Sequence, residues 1–342
     1  KKFNIKYDVV CNSLVNKKNE VYQYEDVEVN KISYPVNFLN LKGLKRKFHI
    51  IISMFYEFYY SYKFIKKKDI KNYYLIHTFG NSWSVAFLTY YFYLKKKPVF
   101  RELVNNMNTP YYPIQFEFFF KKIFQNENNM MIAISKKLEN LCKVYKVKKI
   151  WSRPNPINEK KFFLVNKFEK LRLRNKLTNF SHQDIILTHI ASYMYQKNHI
   201  FLLDVLKKLP KKYKLYLGGP VQNHEHKKNF ELVKNQISKL NLKDRVILTK
   251  GFKTNIDEYI KLCDVFLFPT WNEALGTPIL EAQACGIPVV ANLMKGSTDL
   301  WIKHGKGGFM VKKFDSNLWA KKIELALKIN NTTLKENSSN IK

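Results

Sequence analysis

Residues 268–291 read Phe-Pro-Thr-Trp-Asn-Glu-Ala-Leu-Gly-Thr-Pro-Ile-Leu-Glu-Ala-Gln-Ala-Cys-Gly-Ile-Pro-Val-Val-Ala, and this stretch decides the fold. The apolar runs Asp264–Phe268 and Val289–Ala291 predict two strands. Between them, Thr277 favours a helix N-cap, and the proline that follows suits the first helical position. Gly286 suits the residue just past a helix end. The stretch therefore predicts strand, loop, a helix over Pro278–Cys285, and strand.

Two carboxylates lie on either side of the expected start of this helix. Glu273 belongs to the loop, and Glu281 belongs to the first turns. A helix N-terminus presents free N–H groups and a positive dipole end, which favours phosphate. Gly276 lets that phosphate approach the backbone, and the carboxylates can reach hydroxyl groups beside it. This pattern predicts a nucleotide-sugar site; the alternative is an ordinary loop with two solvated glutamates.

Apolar strands alternate with helical segments along the chain, which favours parallel doubly wound sheets. In the second half, strands are predicted at Ile185–Ile190, Tyr213–Leu217, Val246–Thr249, Val265–Phe268, Val289–Ala291 and Phe309–Val311. In the less regular first half, they are predicted near Tyr7–Cys11, Tyr74–His77, Val99–Leu103 and Met131–Ile134. Two prolines around Asn155 indicate a domain junction. The expected domains are residues 1–154 and 155–342.

The pair Glu273 and Glu281 resembles the E-x(7)-E signature of retaining GT-B glycosyltransferases, family four in particular. Further segments occur in that family's order and at about its spacings: Leu187–Leu203, Gly218-Gly219-Pro220, Gly251-Phe252, Gly305–Val311 and Pro154-Asn155-Pro156-Ile157. The resemblance is specific over roughly residues 130–330. It implies a GT-B fold, with two Rossmann-like domains facing across a cleft, the first on the acceptor side and the second binding the donor. It also implies transfer with retention, without a metal ion or other cofactor.

The resemblance assigns roles to residues of the second domain. It implies that Glu281 binds the ribose hydroxyls and that Glu273 contacts the donor sugar. It implies that Lys197 neutralises the diphosphate, where a cation stabilises the negative charge of the leaving group. Backbone N–H groups near the helix start, at Leu275, Gly276 and Thr277, complete the expected donor site. Each residue also has a structural alternative, from a helix cap to a solvated surface charge.

Some positions depart from the family pattern or match it only loosely. Ser192 occupies the position of the arginine that accompanies the lysine in the family, which leaves the diphosphate with one fewer cation. Phe252 and Lys253 follow a strand and are expected to frame the nucleotide base. In the first domain, His77 resembles the family's histidine near the acceptor, although a core histidine fits equally well. Arg101 and Glu102 are further candidates for that side of the cleft.

The chain has 342 residues and a formal net charge of +33. A nucleic-acid partner is disfavoured because Lys far exceeds Arg, whereas readers of bases and phosphates favour Arg. Basic runs interleaved with Phe and Tyr, such as Lys66-Lys67-Lys68, instead fit an anionic membrane surface or mere compositional drift. We therefore expect a cytoplasmic protein, peripheral on the inner face of the membrane if the charge is functional.

Cysteine usage and apolar runs exclude other classes. The four cysteines are scattered, with no Cys-x-x-Cys pair, so we expect reduced thiols and no metal site. The uncharged run Tyr73–Leu94 is interrupted by Gly80, which predicts a buried strand, a turn and a helix from about Trp83 rather than a membrane span. The chain opens on a strand-like segment without the family's first strand and glycine-rich loop, so a truncated member is expected.

The expected function is transfer of a sugar from a nucleoside-diphosphate-sugar to a glycan or lipid-linked acceptor, in the synthesis of cell-surface polysaccharide or glycoconjugate. Two alternatives stay open. A nucleotide-sugar epimerase of the same architecture would need no acceptor. A degenerate member would bind the nucleotide-sugar without turnover, which the serine at position 192 favours.

Overall fold

The computed structural model describes residues 9–13, 20–24, 27–33, 43–105, 107–111, 113–251 and 255–341. The chain divides into two compact units. Unit 1 comprises Lys1–Ala133 with Leu138–Ser152, and unit 2 comprises Ile134–Lys137 with Arg153–Lys342. Each unit contains a parallel sheet with helices, which confirms the predicted pair of α/β domains.

Unit 1 contains two sheets and four helices within the described residues. In chain order its elements are β1 Val9–Ser13, β2 Glu20–Tyr24, β3 Val27–Ser33, α1 Gly43–Lys66, β4 Ile76–Phe79, α2 Trp83–Leu94, β5 Val99–Leu103, α3 Glu117–Phe124, β6 Met130–Ala133, α4 Lys136–Val144, which begins in unit 2, and β7 Ile150–Ser152. Strands β1 and β3 pair in parallel, and β2 pairs antiparallel with β3. The other four strands form a parallel sheet in the order β4-β5-β6-β7.

The run Tyr73–Leu94 folds as a strand, a turn and a helix, as predicted. Helix α2 begins at Trp83, and Ser82 caps it by accepting a hydrogen bond from the Val85 N–H at 3.2 Å. The prediction of a strand over Tyr74–His77 is wrong by two residues, because Tyr74 is exposed and sheet pairing begins only at Ile76. No helix in the described part of the chain is long and apolar enough to cross a bilayer.

Unit 2 is built around one parallel sheet. Its further elements are α5 Lys167–Leu177, β8 Ile185–Ile190, α6 His199–Lys208, β9 Tyr213–Gly218, α7 His224–Lys239, β10 Val246–Leu248, α8 Ile256–Lys261, β11 Val265–Phe268, α9 Thr277–Ala284, β12 Val289–Asn292, α10 Thr298–Trp301, β13 Gly308–Val311, α11 Ser316–Ala326 and α12 Asn331–Ile341. The predicted strands Ile185–Ile190 and Val265–Phe268 match β8 and β11 residue for residue.

The strand order in unit 2 is β10-β9-β8-β11-β12-β13. Strands β9 and β10 follow outward from β8 on one side. The chain then returns to the other side of β8, where β11, β12 and β13 follow outward in turn. This is a doubly wound sheet, in which ligands bind outside the carboxyl ends of the strands where the order reverses. The fold therefore places the loops that follow β8 and β11 side by side.

Two apolar clusters cover the faces of this sheet. One contains Trp319 of α11 with Leu202 and Leu206 of α6. The other contains Phe266 of β11 and Ile279 of α9. Because both faces are buried, the strands are almost continuously apolar, which is why they were readable from the sequence. Three of the cysteines are free and buried: Cys142, Cys263 and Cys285.

Candidate donor-binding site

The loops after β8 and β11 meet at the point where the strand order reverses. Lys197 lies in the first loop, in a 3-10 turn over Tyr195–Lys197, and Glu273 lies in the second. The Trp271 N–H donates to the Gln196 carbonyl at 3.2 Å, which joins the two loops through their backbones. The two residues expected to act on the donor are therefore neighbours in space, although 76 positions separate them.

Lys197 and Glu273 form an ion pair. The Nζ of Lys197 lies 2.5 Å from Oε2 of Glu273, and both side chains are mostly shielded from water, with 15% and 24% of their area exposed. The other carboxylate oxygen accepts a hydrogen bond from the Ala274 N–H at 3.1 Å. An ion pair this shielded is screened less by salt than a surface pair. A diphosphate reaching Lys197 would have to replace Glu273 as its partner.

A buried histidine contacts the backbone of the loop that carries Lys197. His189 lies on β8, with Nδ1 2.9 Å from the Leu267 carbonyl and Nε2 3.1 Å from the Lys197 carbonyl. Burial, with the nearby Lys197 charge, lowers the pKa of His189 to about 4, so the ring is neutral at pH 7. A neutral imidazole carries one N–H, so it donates to one of these two carbonyls at a time. His189 was missed from the sequence, although a histidine within an apolar strand was a visible signal.

Helix α9 begins one residue earlier than predicted. Gly276, not Thr277, is the N-cap: it has φ +82°, and its carbonyl accepts from the Ile279 N–H at 2.9 Å. This left-handed backbone favours glycine. The prediction of Thr277 as N-cap is therefore wrong, and its hydroxyl instead lies 3.3 Å from Nδ2 of Asn155. The helix ends at Ala284, one residue before the predicted Cys285, but Gly286 lies just past the helix end as predicted, with φ +73°.

Glu281 lies on α9 and is largely buried. Burial, and to a smaller extent the nearby Asp257 carboxylate, together raise the pKa of Glu281 to about 7. The resemblance implied a Glu281 carboxylate that binds the ribose hydroxyls. The tertiary environment instead keeps this carboxyl protonated to a higher pH than an exposed glutamate would be. An electropositive or hydrogen-bonding ligand would favour the ionised form.

The loop before α9 is held by a side chain that the sequence did not single out. Leu275 is buried, and its carbonyl accepts a hydrogen bond from the indole Nε1 of Trp301 at 3.0 Å. Trp301 ends the short helix α10. Since Leu275 lies between Glu273 and the helix start, this bond fixes the backbone that carries both groups.

The remaining predicted positions have separate outcomes. Ser192 is partly buried in the β8 loop and places no cation there. Gly219 is needed for close approach of two loops, because a Cβ there would lie 1.8 Å from the Ala191 carbonyl oxygen. Phe252 and Lys253 lie outside the described residues. Within the described residues, no group of three or more His, Cys, Asp or Glu side chains could hold a metal ion.

The first-domain candidates lie in unit 1. His77 of β4 pairs with Glu102 of β5, with Nε2 3.1 Å from Oε2. About a third of the His77 side chain is exposed, so this pair is open to solvent. Arg101 is different: it is fully buried, and its guanidinium stacks 4.7 Å from the Phe120 ring centre. Burial lowers the pKa of Arg101 to about 10. The expectation that Arg101 lines a cleft is therefore wrong.

Similar proteins were found by sequence and by structure. The chain is 30% identical over 172 residues to the putative glycosyltransferase EpsD of Bacillus subtilis, covering 49% of this chain and 42% of the relative. It is 26% identical over 235 residues to the N,N'-diacetylbacillosaminyl-diphospho-undecaprenol alpha-1,3-N-acetylgalactosaminyltransferase of Campylobacter jejuni, covering 68% of this chain and 56% of the relative. The chain thus spans about half the length of these curated relatives.

Solved structures resemble nearly the whole chain. HepE of Anabaena, in complex with UDP and glucose, has a TM-score of 0.69 and 16% identity, covering 92% of this chain and 82% of that chain. Sucrose-phosphate synthase of Thermosynechococcus elongatus has a TM-score of 0.73 and 17% identity, covering 98% and 84%. At this identity the likeness concerns the fold alone, and it confirms the predicted GT-B fold.

The family model described as "Glycosyl transferases group 1" matches residues 171–341, which is half of the chain. The matched region contains the reversal point of the unit 2 sheet, the Lys197–Glu273 pair and helix α9 with Glu281. The chain therefore belongs to the glycosyl transferases group 1 family.

Proposed function

We propose that this protein is a retaining glycosyltransferase that moves a sugar from a nucleoside-diphosphate-sugar to a glycan or lipid-linked acceptor. The observation that carries the proposal is the Lys197–Glu273 ion pair at the reversal point of the sheet. A cation and a carboxylate, held together beside a helix N-terminus, provide partners for a diphosphate and for sugar hydroxyls. The Escherichia coli relative named UDP-Gal:alpha-D-GlcNAc-diphosphoundecaprenol alpha-1,3-galactosyltransferase supports both the donor and acceptor classes.

In the proposed reaction, the acceptor hydroxyl oxygen bonds to the anomeric carbon as the bond from that carbon to the diphosphate breaks. The acceptor proton goes to the departing diphosphate, and configuration is retained. Negative charge grows on the leaving group during this step. In this proposal, Lys197 and the N–H groups at the start of α9 stabilise that charge. The ion pair between Lys197 and Glu273 must separate first, because in the protein without ligand the lysine ammonium is bound to the Glu273 carboxylate.

Two carboxylates would orient the donor. We assign Glu273 to the donor sugar and Glu281 to the ribose hydroxyls. Ionised Glu281 can accept two hydrogen bonds from adjacent hydroxyls, which repays the desolvation that raises its pKa in the empty protein. We propose that no metal ion takes part, since Lys197 and backbone N–H groups are available for the diphosphate.

We place the protein in the cytoplasm, peripheral on an anionic membrane surface, and propose a role in cell-surface polysaccharide or glycoconjugate synthesis. The Campylobacter jejuni and Escherichia coli relatives are named for acceptors on diphosphoundecaprenol, a lipid carrier. An enzyme that extends such an acceptor must meet it at the bilayer surface.

The test measures nucleoside diphosphate release from a panel of UDP-, GDP- and ADP-sugars, with and without a polyprenyl-diphosphate-linked sugar as acceptor. Acceptor-dependent release that falls at least tenfold in Lys197→Met and Glu273→Gln is expected. The exposed residues Lys243 and Glu231 supply matched controls, Lys243→Met and Glu231→Gln. Loss of activity in these controls would contradict the assigned site.

Ser192 specifically favours a second candidate, a nucleotide-sugar-binding protein without turnover, because it leaves Lys197 without the companion arginine. This candidate predicts a donor-dependent rise in melting temperature with no diphosphate release under any acceptor condition. Release of diphosphate would exclude it. An altered nucleotide-sugar formed without acceptor would instead identify an epimerase.

A further inference from the structure

Helix α1 exposes several large apolar side chains to solvent. The exposed positions are Leu44, Phe48, Ile51, Phe55, Tyr59 and Tyr62, which are between 48% and 86% accessible. Their spacing of four, three, four, four and three residues puts them on one face of a helix. We call this face the α1 stripe. It is about 27 Å long at the usual helical rise.

The side of α1 that packs on its own unit buries three polar side chains as well as the apolar Ile65, which is 3% exposed. Ser53, Glu57 and Ser61 are all at most 5% exposed and are spaced four residues apart. An amphipathic helix on a globular protein normally exposes mainly polar positions on its outer face. Helix α1 instead exposes a continuous apolar stripe there, and this stripe is left uncovered by the described part of its own unit.

The orientation of α1 is held by specific bonds. Oε2 of Glu57 accepts from the Ser84 N–H at 2.7 Å and from the Ser84 hydroxyl at 3.1 Å, in the first turn of α2. A carboxylate is favoured at a helix N-terminus. Phe58 packs on Phe87 of α2, with ring centres 5.5 Å apart. These contacts fix the rotation of α1 about its axis and leave the stripe facing outward.

The charges on α1 complement an anionic surface. Between residues 43 and 68 the sequence has a single acidic residue, the buried Glu57. The same segment has seven lysine and arginine residues, at positions 45, 46, 47, 63, 66, 67 and 68. Lys45 lies at one end of the stripe, and Lys63, Lys66 and Lys67 are exposed at the other. An apolar, aromatic face with lysines at its ends describes a helix lying in the plane of a membrane interface.

We propose that the α1 stripe is a membrane-docking face that inserts into an anionic phospholipid surface while the flanking lysines bind headgroups. A second copy of this chain would bring the same basic residues together, and their repulsion disfavours a symmetric pair. This docking face would give the proposed transferase access to a lipid-linked acceptor, so its biological role rests on the proposed function. The docking itself requires no sugar donor.

The experiment uses the full chain and two kinds of vesicle, phosphatidylcholine alone and phosphatidylcholine mixed with phosphatidylglycerol, in a flotation assay without nucleotide. Binding is expected only to the anionic vesicles, and it should fall as salt rises because the attraction is screened. Equal binding to both vesicles, or binding to neither, would overturn the proposal. Failure here would leave diphosphate release, and so the transferase proposal, unaffected.

Two triple variants separate the apolar and basic contributions. Phe48→Ser/Phe55→Ser/Tyr59→Ser removes apolar insertion, and Lys63→Glu/Lys66→Glu/Lys67→Glu reverses the charge. Each should weaken partitioning onto anionic vesicles, the charge reversal by roughly 100-fold or more. All six side chains are exposed, so circular dichroism should be unchanged.

A matched control makes the same charge change elsewhere. Lys227→Glu/Lys228→Glu/Lys239→Glu reverses three exposed lysines on α7. This control should keep most of the vesicle binding; a loss equal to that of the α1 reversal would show that net charge alone acts. As a second readout, Phe55→Trp should add blue-shifted fluorescence on anionic vesicles that brominated lipid quenches. Absence of quenching would refute insertion.

Sedimentation velocity tests the competing occupant. The protein should be monomeric at the concentrations used for flotation, in both the parent and the serine variant. If the parent is a dimer and the serine variant a monomer, the α1 stripe contacts a second copy, and the membrane proposal is wrong.

Discussion

Replacing Glu281 with glutamine should stabilise the protein without ligand at alkaline pH and have little effect at acid pH. The pKa of Glu281 is about 7, against 4.5 for an ordinary glutamate. Between these values the folded protein binds more protons than the unfolded chain does. Stability therefore falls as the pH rises from about 4.5 to about 7, and the full penalty is present above that range. Glutamine cannot ionise, so it removes the penalty.

The size of the effect follows from the two pKa values. Each tenfold change in proton affinity is worth about 1.4 kcal/mol, so the ionised carboxylate destabilises unit 2 by about 3 kcal/mol above pH 7. For a domain of this size, this corresponds to a rise in melting temperature of roughly 6–12 °C for Glu281→Gln at about pH 8. At about pH 4.5 the two proteins should melt within roughly 3 °C of each other.

Differential scanning calorimetry at both pH values provides the measurement. Glu231→Gln, on the exposed side of α7, is the control and should change the melting temperature little at either pH. The same substitution should weaken nucleotide binding. Glu281→Gln should lose on the order of 1.5–3 kcal/mol of binding free energy, which raises Kd roughly 10- to 100-fold. A pH-independent stability difference would refute the burial argument, and unchanged affinity would remove Glu281 from the site.

Three further predictions concern the same site. Lys197→Met should weaken binding of a nucleoside diphosphate at least tenfold and binding of the bare nucleoside little, as measured by calorimetry; equal losses would mean that the lysine does not meet the diphosphate. Nucleotide binding should survive EDTA, whereas loss on chelation with recovery on adding Mg²⁺ or Mn²⁺ would contradict the metal-free proposal. Trp301→Phe removes one donor to the Leu275 carbonyl and should raise KM for the donor severalfold with the melting temperature nearly unchanged; an unaltered KM would show that this bond does not position the loop.

Features of unit 2 that depend on local rules were predictable from the sequence. The strands Ile185–Ile190 and Val265–Phe268 are continuous apolar runs because both faces of the sheet are covered. The end of α9 was predictable to within one residue because Gly286, just past the helix end, adopts a backbone that favours glycine. The start was missed by one residue, since a glycine and a threonine adjacent to each other both satisfy the rule for an N-cap.

Family membership also followed from the sequence, because the spacing of Glu273 and Glu281 around a glycine and a proline is a local pattern. The environment of single residues did not follow from the sequence in the same way. Arg101 was expected in a cleft and is buried against Phe120. Nothing in the order Phe-Arg-Glu-Leu distinguishes an arginine that faces solvent from one that stacks inside the unit.

The sequence by itself thus determined the strand and helix segments, the class of fold and the helix that carries the two glutamates, because these depend on residues close together in the chain. Only the tertiary structure decided the rest. The strand order brings Lys197 to Glu273 across 76 positions, and burial beside Asp257 raises the pKa of Glu281. On α1, the packing of Glu57 against the start of α2 determines which face is buried. Contacts and dielectric environment depend on distance in space, which local patterns do not encode.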